Sequence, residues 1–346
     1  MYESYNEVFH QGEILTKTYE YILSKQEAIT DFIRENSFDE VVFVACGSSY
    51  WLSTSACMTL QEKLGKRCSA VSSGDVVMNP EYYKKAYRNP MIIAPSRSGS
   101  TSETLIALEL FRKTYGSKVI SIVEYTDAPI GAFTDLLLEI PWANEISVCQ
   151  TRSFSSLYLA CIIIAAIVAC DTVLLQDLQK YLTASKQHSE QAESLIRTII
   201  AEFPGWKSLV TIGSGKQFGV SCEGAYICIE MAQFPSNYYA TLELRHGPIV
   251  MLDESYLVCV FSNEAARSYE ENMAEDSQKK KARVAAITAE DNFSHADYCF
   301  NLGHKACPEV VALYGIMVMQ GFAHLKAVDM GIDPDNPREL VPWIRI

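Results

Sequence analysis

Short, nearly uninterrupted apolar runs, each released into a polar or glycine-containing turn and then a helix-like stretch, constrain this chain more than any other feature. They are Val41–Ala45, Ser69–Ser72, Met91–Ala94, Val119–Val123 and Leu136–Ile140. A strand that is apolar on both faces has to be covered on both faces. Alternation with helices therefore predicts a parallel sheet between helical layers. The order then returns with Leu209–Ile212, Leu257–Phe261, Val284–Ile287 and Tyr298–Leu302. Gly47 and Gly213 stand 166 residues apart, as do Ser96 and Ser262, and Val119 precedes Val284 by 165. So steady a shift predicts a duplicated α/β domain.

The length, 346 residues, suits two such domains, and 49% hydrophobic residues can fill two cores. Residues 1–35 read as an N-terminal helical segment, 36–178 as the first domain with an anion-binding loop, and 179–206 as a helical linker. Residues 207–330 read as the second domain and 331–346 as a tail. Lys and Arg number 29 against 42 Asp and Glu, a net charge of −13. That argues against a nucleic-acid partner, because a phosphate backbone needs a basic face. Eleven cysteines without a C-x-x-C pair favour neither a disulfide framework nor a zinc ribbon, and read as a reducing, cytoplasmic setting. The most apolar run, Leu157–Cys170, is too short for a bilayer and is expected to be a buried helix. No nucleotide-binding glycine motif and no metal-ligand spacing occurs, so neither a cofactor nor a metal is expected.

Three groups of residues can carry chemistry. Cys46–Gly47–Ser48–Ser49 ends a strand and opens a helix, a weak anion signal because serine is also a common N-cap. Pro95–Thr104 is stronger: seven of its ten residues are Ser, Thr or Arg, at the start of a helix. An anion there would meet backbone N–H groups, the positive end of the helix dipole and several hydroxyls. The direction of Arg97 is open. The corresponding loop of the second half, Ser262–Arg267, has lost the hydroxyl cluster and gained an acid. The third group is Glu223 and Glu230 on a helix predicted over Val220–Ala232, followed by Glu243–Pro248 with His246. A carboxylate and an imidazole can move protons near neutral pH, but a paired helix acid and a loop cap account for these residues equally well.

Taken together and in this order, the three groups resemble the SIS (sugar isomerase) phosphosugar-binding family. The most similar members are the isomerase half of glucosamine-6-phosphate synthase and the deglycases of fructosamine 6-phosphates. The specific pieces are Cys46–Ser49, Ser96–Thr101, Glu223–Gly224–Ala225, Glu243–Leu244–Arg245–His246–Gly247–Pro248 and the tail Asp335–Leu340. The resemblance implies two tandem SIS domains, each a parallel five-stranded sheet in a flavodoxin-like αβα sandwich. It implies that Ser96, Ser98 and Thr101, with Arg97 beside them, hold a sugar phosphate, that Ser48 and Ser49 line the sugar end, and that Thr104 assists. Glu230 aligns with the enolisation base. His246 aligns with a histidine that assists ring opening from a neighbouring subunit, which implies a homodimer, and the tail would cover the active site. Two lysines of the synthase are missing: Ile227 and Pro342 stand in their places. No nucleophilic cysteine follows Met1, so glutamine-dependent amination is not expected. The expected activity is a deglycase or deaminase acting on a 6-phosphorylated fructosamine or amino sugar. The alternatives are an aldose–ketose phosphosugar isomerase and, behind it, a non-catalytic sugar-phosphate sensor. Gln150–Arg152, Pro235–Tyr239 and the tail around Trp343 are expected to set specificity.

Overall fold

The computed structural model describes residues 2–290 and 293–340. The chain forms two compact units that do not follow chain order strictly. One comprises Glu13–Glu145 and Arg152–Leu175; the other comprises residues 2–12, Ile146–Thr151 and Gln176–Leu340.

In the first unit the strands are β1 (Glu40–Ala45), β2 (Arg67–Ser72), β3 (Pro90–Ser96), β4 (Val119–Val123) and β5 (Leu136–Glu139). All pair in parallel, in the order β2-β1-β3-β4-β5. Every residue of β1, β3 and β4 is buried, as their unbroken apolar patterns require. On one face Val42, Val44, Ile92 and Ala94 pack with Ala107, Leu108 and Phe111 of the Ser102–Tyr115 helix. The Ser48–Leu64 helix packs against the Arg152–Val168 helix, which is buried from Ser153 to Ile167.

The second unit repeats this plan. Its strands are β6 (Ser208–Gly213), β7 (Ser236–Ala240), β8 (Tyr256–Phe261), β9 (Arg283–Thr288) and β10 (Tyr298–Asn301), in the order β10-β9-β8-β6-β7. Replacing each strand by its place in its own half gives the same order as the first sheet, so the duplicated architecture is real. In each sheet the first strand lies between the second and third. The crossovers on either side of it then run in opposite directions, leaving a crevice at the carboxyl ends of the strands where ligands of such sheets bind.

The structure departs from expectation in several places. Pro235–Tyr239 is not a free loop: Ser236–Ala240 is strand β7, paired in register with β6 from Leu209↔Ser236 to Gly213↔Ala240. It is an edge strand whose last residues are half-buried, so it lacks the continuous apolar run that marks the others. The N-terminal segment is three helices, Glu3–Phe9, Gly12–Ser24 and Gln26–Glu35, divided between the units after Gly12. The stretch around Gln179–Glu202 is the end of a 31-residue helix, Thr172–Glu202. Among the described residues one helix, Pro308–Asp329, is long and apolar enough to cross a membrane, and its apolar stretch is buried inside the fold. None of the eleven cysteines is in a disulfide.

Candidate functional site

In the first unit the loops after β1 and β3 leave the sheet at its crevice. Ser96 is the last residue of β3 and is buried. Its hydroxyl accepts the Gly99 N–H at 3.1 Å, and the Ser98 hydroxyl accepts the Ser100 N–H at 3.2 Å. Gly99 has φ +58°, and a Cβ there would lie 2.7 Å from the Ala128 Cβ and 2.8 Å from the Ile130 Cγ2. Only glycine satisfies both the left-handed backbone and that close approach. Thr101 is the N-cap of the Ser102–Tyr115 helix, yet its side chain makes no capping bond. Its hydroxyl thus sits at the positive end of the helix dipole without capping the helix. Ser98 and Ser100 open onto a pocket of about 220 Å³, closed on the other side by Tyr125–Pro129.

Thr104 joins the two loops. Its hydroxyl lies 3.3 Å from that of Ser73 and 3.7 Å from the Cys46 thiol. Ser48 and Ser49 are buried in the first turn of the Ser48–Leu64 helix, directly after β1. The first-domain candidates thus converge on one crevice.

Arg97 behaves differently. Its carbonyl accepts the Glu124 N–H at 3.2 Å, and its guanidinium pulls on the Glu124 carboxyl. Glu124, the residue after β4, was not singled out from the sequence. It is 2% exposed. Burial first, then Glu145, hold its carboxyl well above the ordinary range, while Arg97, Ser153 and Arg152 pull the other way. The available signal was its position, a lone acid ending a fully apolar strand.

The second unit carries the acid/base candidates. The helix is Phe218–Ala232, and Glu223, fully buried, and Glu230, half-buried, stand two turns apart on it. Tyr226 lies between them: burial raises its phenol, followed by the charges of Glu230 and Glu223 and by Tyr238 of β7. Ile227 is fully buried, so the position of the family lysine faces the core. At the end of this helix the Gln233 side-chain amide donates to the Arg338 carbonyl at 2.8 Å, anchoring the tail there. Asp335 fixes the tail again, accepting the Glu3 and Ser4 N–H groups at 2.8 Å each. Pro342 and Trp343 lie outside the described residues.

His246 follows the 3₁₀ turn Thr241–Arg245, with its N–H bonded to the Glu243 carbonyl at 3.0 Å. Its side chain is exposed in the single chain, unlike Glu230. Exposed Leu242, Val250 and Met251 surround it in sequence, and the last two are 73% and 64% accessible.

A family model for the SIS domain matches residues 37–169 and 202–324, most of both units. The glutamine–fructose-6-phosphate aminotransferases of Sulfurisphaera tokodaii and Brucella abortus are 22% and 26% identical over 98% of this chain. The chain spans only 56% and 58% of their lengths, little more than half. Among solved structures, glucosamine-6-phosphate deaminase from Thermotoga maritima is 25% identical, with a TM-score of 0.84 and 99% and 100% of the two chains covered. Tagatose-6-phosphate ketose/aldose isomerase from Escherichia coli shares the fold, with 21% identity, a TM-score of 0.80 and 99% and 97% coverage. With a hydroxyl-lined crevice in one repeat and an acid-bearing helix in the other, the chain belongs to the SIS domain family.

Proposed function

We propose that this protein is a phosphosugar deglycase or deaminase, acting on a 6-phosphorylated fructosamine or amino sugar. The observation that carries the reading is at position 227. A buried isoleucine stands one turn before Glu230, so enolisation has a carboxylate beside it but no lysine to form an imine. A fructosamine supplies its own nitrogen. Glu230 takes a proton from C1, the electron pair forms the C1–C2 enol, and the proton returns to C2. The resulting imine at C1 adds water and releases the amine, leaving an aldose 6-phosphate. Ser96, Ser98 and Thr101 hold the phosphate, with Thr104 behind them, and Ser48 and Ser49 face the sugar. The full-length likeness to a glucosamine-6-phosphate deaminase supports this reading. The aminotransferase and tagatose-6-phosphate isomerase relatives keep an aldose–ketose isomerase as the second.

The dimer belongs to the same proposal. His246 is exposed in one chain, and Val250 and Met251 beside it leave large apolar side chains in solvent. A second copy covering that turn would bury them and bring the histidine into use.

Amine release from a panel of fructosamine 6-phosphates tests the activity. Glu230→Gln is expected to lower kcat about 10²- to 10⁴-fold with KM nearly unchanged, and borohydride with substrate is expected to trap nothing. A lysine adduct, or full activity in Glu230→Gln, returns the isomerase to first place.

A further inference from the structure

The loop after β8 is the second domain's counterpart of the hydroxyl-rich loop after β3, and a carboxyl group of the chain already fills it. β3 and β8 are the middle strands of sheets with one shared order. Ser262 stands 166 residues after Ser96, and Glu270 stands 166 residues after Thr104. Where Thr104 carries a hydroxyl, Glu270 carries a carboxylate, and it is 1% exposed. That carboxylate accepts the Ser262 hydroxyl at 2.8 Å and the Asn263 N–H at 3.0 and 3.1 Å. A serine hydroxyl and a backbone N–H at a strand-to-helix turn are the kind of donors that hold a phosphate oxygen. A cleft of about 410 Å³ opens on the same loop, lined by Ser262, Asn263, Glu264 and Arg267 over Ala289 and Val311. Room, donors and a guanidinium are all present, and the donors are taken. The acid that fills the loop is Glu270 on the following helix, not Glu264 within the loop.

We propose that this loop is a second oxyanion site, of the phosphate class, which the chain occupies with its own Glu270 carboxylate. The duplicated chain then takes a phosphate ester in its first domain only. Burial pushes the Glu270 carboxyl up to about 7, with Glu271 adding to the rise, and the Asn263 and Ser262 donors and the Arg267 charge offset only part of it. A carboxylate held at that cost still serves the fold, because without it the buried Ser262 hydroxyl and Asn263 N–H lose their acceptor. The inference concerns the second domain alone and does not depend on the first-domain cradle.

The test uses the full chain and inorganic phosphate at pH 8, against chloride at equal ionic strength. Glu270→Thr, which copies position 104, and Glu270→Ala empty the loop; Glu270→Gln keeps it filled. Equilibrium dialysis is expected to find one more phosphate per chain in Glu270→Thr and Glu270→Ala than in the wild type, and none added in Glu270→Gln. If the emptied variants are destabilised, phosphate restores them: their Tm is expected to rise about 3 °C or more beyond the wild-type shift in 50 mM phosphate. A wild type that binds no phosphate beside a variant that binds one supports this site while counting against the first cradle. Unchanged stoichiometry and wild-type phosphate shifts in both emptied variants overturn the proposal. So does an equal gain in Glu270→Gln, which would assign the effect to charge alone.

Discussion

At the scale of single residues, the two halves differ by what stands on the helix after the middle strand. Thr104 puts a hydroxyl beside that of Ser73, whereas Glu270 puts a carboxylate that bonds back into the equivalent loop. The consequence for the first of these loops is measurable. Each hydrogen bond from a neutral donor to a charged phosphate is worth roughly 1.5–3 kcal/mol. Ser98→Ala with Thr101→Ala is therefore expected to raise KM for a phosphorylated substrate by about two orders of magnitude or more, and steady-state kinetics reads it. An unchanged KM in the folded double variant removes the cradle from this loop. The serines and threonines were legible in the sequence because so many hydroxyls at one helix start have little other use. Glu124 and Glu270 were not. An isolated acid looks alike in sequence whether it faces water or is sealed into a sheet edge, and only packing distinguishes the two.

At the scale of elements, the helix bearing Glu223 and Glu230 owes its position to close packing against Pro308–Asp329. Gly224 is the contact point: a Cβ there would lie 2.8 Å from the Met319 Cγ and 3.3 Å from its Cβ. Gly224→Ala must push the two helices apart or bend a side chain off its rotamer, which costs about 1–3 kcal/mol in a packed core. Urea unfolding is expected to show that loss, and kcat is expected to fall with it because Glu230 rides on the displaced helix. Wild-type stability in Gly224→Ala would mean that the helices have slack there. Eight of the ten strands stood out in the sequence as apolar runs, and Ser69–Ser72 was picked out by the rhythm of the chain. β7 did not, since an edge strand is held by one neighbour and one covered face, and its polar residues read as a turn.

At the scale of the whole molecule, the proposed reading places His246 of a second copy of the chain at each site, and that can be tested by mixing variants. Glu230→Gln and His246→Asn are each expected to lose most of the activity alone. Mixed after reversible unfolding or subunit exchange, they are expected to recover part of the wild-type rate, because one site of a mixed dimer holds both native groups. Exchange verified by tagged subunits without any recovery would put both groups in the same chain. The sequence by itself determined the repeat, the parallel sheets and the cluster of hydroxyls at one helix start, because each is written in local spacing: the apolar run, the fixed shift, the run of serines and threonines. It could not place residues 2–12 with the second unit or bring the Glu270 carboxylate onto Ser262 and Asn263. Those outcomes depend on which distant surfaces meet, and only the tertiary structure decided them: residues hundreds of positions apart, such as Ser4 and Asp335, become partners when burial leaves each no better choice.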